Sequence, residues 1–583
     1  MSLKITDEQN YQDIADAIRN KLGSNDTFLP SEMADAVESI PAGGNTELKT
    51  IFIDYDGTVL HEYTQDEVDA LTTLPALPSH DGLTCQGWNW TLAELQAYEK
   101  PAVVGANYIT DDGKTRVYIT IPVTDKYVKA SLSSSSSFRC IIDWGDGSSS
   151  EITKSAKSAE HTYSIAGEYA ISFEVTEGVP SISGSYNVGS QLISSGQTSG
   201  APYGAIANIH KIELGANITV GSYGMADMKN LKSVSVPEEC SFKEDAFARC
   251  YSLQAFVFPK RIPECDKFIF LNDYYLKYIA LSPSMETITE SFASGCNGLE
   301  RISLPNSITS IDNYAFNYCS SLVELLIPEG IQSIGMDAFS YAGNMTKTVI
   351  LPSSLTAVGS RAFSNTYFEK LTINGRTGFG NNVFANNTKL KEVEINSVIA
   401  SWGTNMFTSC TALRKITVAD GNVSLGNDFA YKASSLKEVV LPDSLTAIPS
   451  EAFANCNSLE DINLPSNLSE IGPNAFNYCH LIKSMIIPEG VTTVSSYAFS
   501  SMETLDEIVF LGNIEKIERY AFGLTYGLRT IDLSHCTSVP VLDNVNAFVS
   551  NSMRLKIKVP AALYDEWIAA DKWSTYASKI EAA

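Results

Sequence analysis

Two hydrophobic patterns recur at a regular interval from residue 209 towards the C-terminus. In the first, an aromatic residue or Met, often preceded by Ala, recurs at fourteen intervals that span 323 residues, a mean of about 23. These positions are Met225, Phe247, Phe270, Phe292, Phe316, Phe339, Phe363, Phe384, Phe407, Phe429, Phe453, Phe476, Phe499, Phe522 and Phe548. In the second, L-x-x-[IV]-x-[LVI] recurs, often followed by Pro, as in residues 299–305, 436–442 and 459–465. Two patterns that stay in step over this length indicate an internal repeat.

The repeat predicts a solenoid of stacked units, which we call rungs. Within L-x-x-[IV]-x-[LVI] the last apolar residues alternate at period two, which is typical of a short strand with one buried face. Pro then removes a backbone donor and turns the chain, and the segment with the Phe returns with its ring inward. One rung cannot bury its apolar face alone, whereas stacked rungs share a continuous core. Parallel strands about 4.8 Å apart would give about fifteen rungs in an arc roughly 70 Å long.

Residues 205–583 resemble the leucine-rich repeats of BspA-like bacterial surface proteins, because motif and period agree. The end of the chain, residues 554–573, predicts a last strand and then an amphipathic helix with Leu563, Trp567 and Ile568. Such a helix would close the open end of the solenoid. The resemblance implies a mainly β, multidomain protein with a parallel-stacked leucine-rich-repeat solenoid, and a role in binding.

Residues 1–41 predict a small helical module of two short helices. Residues 6–9 form a capping box, and a second helix begins at Pro30. The inward apolar positions are Tyr11, Ile14, Ile18 and Leu22 in the first helix, and Met33, Val37 and Ile40 in the second. This stretch resembles a module of tail and baseplate-associated proteins in phages and prophages of Firmicutes. The resemblance implies attachment to a phage tail.

Residues 46–100 predict a small α+β adaptor module and contain one enzyme-like motif, IFIDYDGTVL. The motif is similar to the first motif of haloacid-dehalogenase phosphatases, in which Asp54 would be the nucleophile and Asp56 the acid/base. The other groups of such a site do not follow at suitable distances, since the acidic pair Asp111-Asp112 and Lys114 come only 57 residues later, in a Gly-containing turn before a β-rich module. We therefore expect no catalytic residue, but a strand over 51–53, an Asp-Gly turn and a strand over 59–63.

The second half of the adaptor is rich in aromatic residues. Thr64 and Glu67 predict a capped helix, and Trp88 and Trp90 lie on one face of a predicted strand. Paired aromatic rings can stack on sugars, but in so small a module a core position is the favoured interpretation. Residues 79–92 also look like segments of the same phage and gut-bacterial proteins.

Residues 101–177 are similar to β-sandwiches of the PKD type. The matching residues are Asp143-Trp144-Gly145-Asp146-Gly147, His161-Thr162-Tyr163, Gly167 and Tyr169, whereas Ile142 stands where the family often has Trp. The Gly-Asp-Gly turn would join two strands, with Tyr163 and Tyr169 in the sandwich. Asp143 and Asp146 would cap this turn, the alternative being a calcium site. Residues 178–204, rich in Gly and Ser, predict a linker or a lead-in to the solenoid.

Composition and charge narrow the classes of partner and cofactor. Acidic residues outnumber basic ones by 67 to 41, which argues against nucleic acid, and no apolar run is long enough for membrane insertion. CxxC and H-x-x-x-H spacings are missing, so we predict no metal and no cofactor. Five cysteines follow the repeat aromatic residue by three positions, and we predict reduced core thiols there: Cys250, Cys319, Cys410, Cys456 and Cys479.

The order of these modules predicts a binding protein and no enzyme, since no segment assembles a nucleophile, a base and an oxyanion site. The leading hypothesis is a phage tail-associated receptor-binding or fibre-like protein of the virion, made in the host cytoplasm, because export and wall-sorting signals are missing. Its partners would be a bacterial cell-surface glycan or protein, and phage tail or baseplate proteins through the N-terminal modules. Tail fibres are commonly trimeric, so we expect a homo-oligomer. The alternative is a BspA-like adhesin of the bacterial cell surface whose export signal was removed.

One face of the predicted sheet is the candidate binding site. Residues that flank the buried [IV] of each strand point away from the core. Acids dominate these positions, which also hold Lys415, Thr417 and Thr530, and the candidate binding residues are Glu392, Glu394, Glu438, Asp461, Asn463, Glu507 and Asp532. A ligand here would be cationic, bridged by calcium, or a hydroxyl-rich glycan. The alternative is a solvated face that only keeps the exposed sheet soluble.

Overall fold

The computed structural model describes residues 49–583, except residues 99, 125, 186–188, 196–207, 324–325 and 344–346. The predicted helical module of residues 1–41 lies outside the described residues. Along the described chain an α+β module is followed by a β-sandwich and a solenoid. The fold is mainly β, and the solenoid has about 16 turns, as the repeat predicted.

The adaptor module, residues 49–110, is a four-stranded mixed sheet with two short helices. Its elements are β1 Thr50–Ile53, β2 Val59–Tyr63, α1 Gln65–Ala70, β3 Leu83–Trp88, α2 Leu92–Tyr98 and β4 Val103–Thr110. The strand order is β2-β1-β4-β3, with β1 parallel to β4 and antiparallel to β2. The predicted capping box of Thr64 and Glu67 begins α1. Because β4 pairs with β1 and β3, this module continues past residue 100.

Residues 115–195 form an antiparallel sandwich of two sheets. Its strands are β5 Thr115–Ile121, β6 Tyr127–Ser131, β7 Arg139–Asp143, β8 Ser149–Thr153, β9 Ser158–Thr162, β10 Gly167–Glu177 and β14 Ile193–Ser195. Before β14, the short strand β11 Ser181–Ile182 pairs in parallel with Thr219–Val220 of the solenoid, and β12 Gly184–Ser185 pairs with β13 Gly189–Ser190. One sheet contains β5-β10-β7-β8, and the other has the order β14-β6-β9. Trp144 and Tyr163 are buried, and the Tyr163 hydroxyl donates to the Trp144 carbonyl at 2.8 Å. This bond ties the predicted Gly-Asp-Gly turn to the sandwich core.

One side of the solenoid is a parallel sheet to which successive rungs contribute a strand. These strands are β15 Ile209–Glu213, β17 Ser233–Ser235, β18 Ala255–Val257, β19 Tyr278–Ala280, β21 Arg301–Ile302, β24 Thr348–Leu351, β26 Lys370–Ile373, β28 Glu392–Ile395, β29 Lys415–Val418, β30 Glu438–Val440, β33 Ser484–Ile487, β35 Glu507–Phe510, β37 Thr530–Asp532 and β39 Lys556–Val559. Lys370 pairs with Glu392, and Thr530 with Lys556, so one repeat is 22 to 26 residues long. Central residues such as Val393 are buried, which confirms the predicted alternation.

A second side of the solenoid is a column of two-residue strands. These are β16 Thr219–Val220, β20 Thr287–Ile288, β22 Ser310–Ile311, β23 Ser333–Ile334, β25 Ala357–Val358, β27 Gly378–Phe379, β31 Ala447–Ile448, β32 Glu470–Ile471, β34 Thr493–Val494, β36 Lys516–Ile517 and β38 Val541–Leu542. They pair in parallel, as Ile311 with Ile334, and their second residue is buried. This column closes the core on the side that follows the Pro turn.

The third side of each rung is the turn that carries the repeat aromatic residue. Tyr314 and Tyr318, two positions before and after Phe316, have left-handed φ angles of 59° and 61°. The N–H groups of Tyr314, Phe316 and Tyr318 donate to carbonyls of the next rung at 2.8 to 2.9 Å. The same pair of left-handed residues, four positions apart, recurs in rungs from residue 223 to residue 524. The bonds between rungs offset the cost of left-handed backbone, about 1–2 kcal/mol for a residue other than Gly.

The aromatic rings of these turns form a column in the core. Phe316, Phe453 and Phe476 are buried, as predicted, and Phe316 stacks on the ring of the next rung at 5.4 Å between centroids. In two rungs Phe comes before Ala in the turn instead of after it. There the N–H of the preceding rung donates to the carbonyl of Phe292 or Phe429, whereas in other rungs the equivalent acceptor is often an Ala carbonyl. The predicted aromatic position is therefore wrong by one residue in these two rungs.

Both ends of the solenoid sheet are covered by other strands. At the N-terminal end β5 pairs with β15, so one six-stranded sheet, β17-β15-β5-β10-β7-β8, joins the sandwich to the solenoid. At the C-terminal end β40 Ile580–Ala582 pairs with β39, and α3 Tyr564–Ala569 buries Trp567, as predicted. Three 3-10 helices, Val545–Phe548, Ala561–Leu563 and Trp573–Lys579, complete this end. An uncovered edge would offer unpaired backbone groups to other chains.

Candidate functional site

The sheet face of the solenoid consists of the side chains that flank the buried central residue of each strand. In the first five rungs these are Lys211, Glu213, Ser233, Ser235, Ala255, Val257, Tyr278, Ala280, Arg301 and Ser303. Most of them are small or apolar, and most are buried. The adaptor module lies on this part of the sheet face, an arrangement that sequence reasoning missed.

Apolar contact and hydrogen bonds hold the adaptor on the solenoid. One buried cluster joins Ile51, Ile53 and Val103 of the adaptor to Ala255, Val257 and Ala280 of the solenoid. Asn89 Nδ2 donates to the carbonyls of Ala280 at 3.3 Å and Leu281 at 3.0 Å. Trp90 is buried, as predicted, and its Nε1 donates to the Leu281 carbonyl at 3.0 Å. Because the buried polar groups are paired, the contact combines apolar burial with a fixed orientation.

A charged cluster lies where the adaptor, the sandwich and the solenoid meet. Lys211 Nζ is 2.7 Å from Glu213 Oε1, and the Tyr118 hydroxyl donates to the other oxygen of Glu213 at 2.9 Å. Lys211 also lies 5.5 Å from the ring centroid of Tyr55. Burial raises the pKa of Tyr118 to about 12, and the hydrogen bond to Glu213 acts in the same direction. Tyr118 therefore stays protonated and keeps its donor role in this junction.

The open sheet face, residues 348–558, contains the predicted site residues. Lys370 Nζ lies 3.4 Å from Glu392 and 2.7 Å from Glu394, and the hydrogen bond to Glu394 raises the pKa of Lys370. Lys415 forms an equivalent pair with Glu438 at 2.8 Å. Each pair joins neighbouring rungs. In this stretch of the open sheet face each of the three predicted glutamates is therefore paired with a lysine, either Lys370 or Lys415.

The remaining predicted site residues lie farther along the same face. Asp461, Asn463 and Glu507 are exposed, and among the described residues no ion pair reaches Asp461 or Glu507. Asp532 accepts the N–H of Ser534 at 2.9 Å and lies 3.9 Å from Lys558. The uncompensated acids of the predicted set are thus Asp461 and Glu507.

Exposed apolar side chains lie among these charges. Ile350, Val440 and Ile486 occupy outward positions of β24, β30 and β33, and Ile486 is 62% exposed. Ile486 belongs to the rung between those of Asp461 and Glu507. Apolar groups within a polar surface are typical of a contact site when they form part of a larger patch. The centre of the open sheet face thus combines acidic and apolar groups.

The enzyme-like motif forms the predicted strand, turn and strand. Asp54 is buried, accepts the N–H of Tyr55 at 2.9 Å and lies 2.8 Å from His80 Nε2. Asp56 is exposed and accepts the N–H of Thr58 at 2.9 Å. Both carboxylates thus have structural partners within the adaptor.

The Gly-Asp-Gly turn of the sandwich is held by its own aspartates, as predicted. Asp143 accepts the N–H of Gly145 at 2.9 Å. Asp146 accepts the N–H of Ser148 at 3.0 Å, and its other oxygen lies 2.8 Å from His161 Nε2. The hydrogen bonds from Ser148 lower the pKa of Asp146. The two carboxylates therefore serve the turn geometry.

Within the described residues, no group of three or more His, Cys, Asp or Glu side chains is arranged to hold a metal ion. In the same part of the chain, no helix is both long and apolar enough to cross a membrane.

The stacked rungs, the parallel sheet and the aromatic column define a leucine-rich-repeat solenoid. The family model described as BspA type leucine rich repeat region matches residues 203–323, 309–434 and 427–553, in six copies. Because these matches span more than half of the 583 residues, the chain belongs to the BspA-type leucine-rich repeat family. This membership supports a binding or adhesin-like role.

Several solved structures are similar to this chain. A leucine-rich repeat protein from Bacteroides ovatus is 20% identical over 64% of this chain and 94% of its own, with a TM-score of 0.36. A leucine rich cell surface protein from Faecalibacterium prausnitzii is 24% identical over 52% and 84%, with a TM-score of 0.31. The T. pallidum leucine-rich repeat protein is 28% identical over 27% and 78%, with a TM-score of 0.26. The comparison with curated proteins gives no match.

Proposed function

We propose that this protein is a non-catalytic binding protein that presents its open sheet face to a glycan or protein on a bacterial surface. The observation that carries the proposal is the division of the sheet face. The adaptor covers the small and apolar side chains of the first five rungs, whereas the described part of the chain leaves the face from residue 348 onward open. One part of the face thus serves internal assembly, and the other is available to a partner.

The chemistry of the open sheet face indicates where a partner binds. Between residues 370 and 438 the charges form exposed ion pairs from rung to rung, so a ligand there would compete with existing partners. Around Asp461, Ile486 and Glu507 the acids are exposed and an apolar side chain stands between them. We therefore place the centre of the binding site in these rungs. Carboxylates accept hydrogen bonds from sugar hydroxyls or from cationic groups of a protein.

The proposed setting is a phage tail, with the protein acting as a receptor-binding or fibre-like component of the virion. Support comes from the resemblance of residues 1–41 and 79–92 to phage and prophage proteins. The N-terminal modules would then attach to tail or baseplate proteins, and the sandwich would be a PKD-like module between them and the solenoid. The second candidate is a bacterial cell-surface adhesin, which the family favours. Genes for tail proteins beside the coding gene would support the first setting, and their absence the second.

The test neutralises the two uncompensated acids at the centre of the site, with Asp461→Asn and Glu507→Gln, and the ion-paired acid at its edge, with Glu438→Gln, in one variant of the full chain. The full chain is used because the first solenoid strand pairs with the sandwich. Binding to a panel of bacterial cells and to a glycan array is measured, and the strongest interaction is titrated. We expect the dissociation constant to rise at least tenfold, because a neutral amide accepts weaker hydrogen bonds than a carboxylate does. A tenfold rise corresponds to about 1.4 kcal/mol of binding free energy.

A control variant carries the same change of charge outside the sheet face. Asp443, Glu489 and Glu515 are exposed acids in the turns next to the strands. Asp443→Asn with Glu489→Gln and Glu515→Gln should leave the dissociation constant unchanged. Equal binding by the unaltered protein and the sheet-face variant would remove the site from this face.

A further inference from the structure

A cleft of about 450 Å³ opens on the turn side of the solenoid, which is not the sheet face. Its lining residues come from the turns of four consecutive rungs. The left-handed positions supply Tyr314, Asp337, Arg361 and Asn382, and, four residues later in each turn, Tyr318, Tyr341, Asn365 and Asn386. Asn317, Ser340, Ser364 and Ala385 lie between them. The volume is within the range of small-molecule sites, about 300–1,000 Å³.

Two stacked tyrosines form an aromatic surface of this turn cleft. The rings of Tyr318 and Tyr341 are 4.9 Å apart between centroids and nearly parallel, at 8°. Both remain accessible, with 52% and 45% of their surface exposed. Exposed parallel rings offer an apolar face beside a polar hydroxyl tip. This combination suits a ligand that has an apolar face and hydroxyl edges.

A buried carboxylate and a guanidinium fix the polar side of the turn cleft. Arg361 donates from Nε to Asp337 Oδ1 at 2.9 Å and from Nη2 to Asp337 Oδ2 at 2.6 Å. Asp337 is buried, whereas the Arg361 side chain is about half exposed. An Arg side chain has five N–H donors, so the pair with Asp337 uses only some of them. The remaining donors are held in a fixed position for a ligand.

Amide and hydroxyl groups supply donors and acceptors around this pair. Asn365, Asn382, Asn386 and Ser340 line the turn cleft. The Asn317 side-chain oxygen is buried and, among the described residues, has no hydrogen-bond partner. A buried oxygen of this kind is normally satisfied by water or a ligand.

We propose that the turn cleft binds a segment of a neutral, hydroxyl-rich glycan. The charges of the lining cancel, because its twelve residues include one Asp and one Arg that pair with each other. A charged glycan would therefore gain little from the site, whereas sugar hydroxyls match its amides, its hydroxyls and the Arg361 donors that Asp337 does not use. The stacked tyrosines supply the surface for the apolar face of a sugar ring. This site is separate from the open sheet face and does not depend on the function proposed for that face.

The test measures binding of the full-length protein to an array of neutral and charged glycans, followed by titration with the best neutral oligosaccharide. The double variant Tyr318→Asn with Tyr341→Asn removes the aromatic surface. Asn is compatible with left-handed backbone and already occupies this position as Asn365 and Asn386. The fold should therefore persist, and the dissociation constant should rise at least tenfold.

Tyr478 provides a matched control. It occupies the same left-handed position in another rung and is 42% exposed, but it lies outside the turn cleft. Tyr478→Asn and the sheet-face triple variant should both bind the oligosaccharide as the unaltered protein does. Protection of residues 314–386 from hydrogen exchange by the bound oligosaccharide locates the site without any substitution. The proposal is overturned if no neutral glycan binds, if charged glycans are preferred, if the double variant binds normally, or if these residues gain no protection.

Discussion

The surroundings of the repeat cysteines explain why a small residue with a thiol suits this position. Cys319 Sγ donates to the Ala293 carbonyl, and Cys479 Sγ to the Phe453 carbonyl, both at 3.2 Å. Each acceptor belongs to the preceding rung, so the thiol fills a small apolar space and also satisfies a backbone oxygen. All eleven cysteines lie in the described part of the chain and are free thiols. The predicted burial of the five repeat cysteines is confirmed.

Burial should make these thiols unreactive in the native protein. It raises the pKa of Cys410 and of Cys479 to about 12, far above pH 8, so these thiols stay protonated and the thiolate, the form that reacts, is scarce. We expect iodoacetamide at pH 8 to leave the five repeat cysteines unmodified until denaturant is added, as measured by peptide mass spectrometry. Dithiothreitol should leave the melting temperature unchanged. Rapid native-state labelling of Cys319, or a lower melting temperature in reductant, would contradict this account.

At the scale of the element, each rung is stabilised by its neighbours more than by itself. The left-handed turn positions direct N–H groups to the next rung, and the aromatic rings stack from rung to rung. A single rung would have neither set of partners. This is why repeats of only about 23 residues, with strands of two to five residues, can form a stable solenoid.

Phe316→Ala tests the aromatic column. The ring is fully buried and stacks on Phe339. Its removal should lower the free energy of unfolding by about 3–5 kcal/mol, because both apolar contact and packing volume are lost. Denaturant-induced unfolding followed by circular dichroism measures the change. Ile486→Ala, at an exposed position, is the control and should change stability by less than about 0.5 kcal/mol. Similar effects of the two substitutions would place the aromatic column outside the cooperative core.

At the scale of the whole molecule, the adaptor, the sandwich and the solenoid form one continuous structure. The sandwich sheet continues into the solenoid through β5 and β15, and the adaptor covers the first part of the sheet face. The direction of the open sheet face is therefore fixed relative to the adaptor. The solenoid therefore has a defined orientation relative to any partner that binds the adaptor or the sandwich.

Gly105→Ala should detach the adaptor from the solenoid. A Cβ at Gly105 would overlap the Val257 side chain, which lies directly against it. We expect faster hydrogen exchange in β4 and β18 and increased binding of a hydrophobic dye, because the apolar cluster becomes exposed. Gly167→Ala is the matched control, since a Cβ there meets its nearest atom at 3.9 Å. If hydrogen exchange in β4 and β18 is unchanged in the Gly105 variant, the added methyl group does not detach the adaptor and the prediction is wrong.

The sequence by itself determined the features that depend on neighbours within one repeat. Strand alternation, the buried aromatic and cysteine positions and the C-terminal helix follow from local periodicity, because a buried face must recur wherever the rung recurs. The predicted outward positions of Glu392 and Asp461 are also correct, since they follow from the same alternation.

Only the tertiary structure decided what those outward positions contact. Val103 and Val257 are far apart in sequence, and the pairing of Lys370 with Glu392 requires the register between two rungs. The turn cleft likewise exists only where the turns of four rungs stand side by side. Periodicity states which way a side chain points, but its partner is set by packing between segments that no local pattern relates. For that reason the sequence predicted the solenoid and the residues that point out of it. Which of these residues are covered by the adaptor, paired with an opposite charge or left open depends on the tertiary structure.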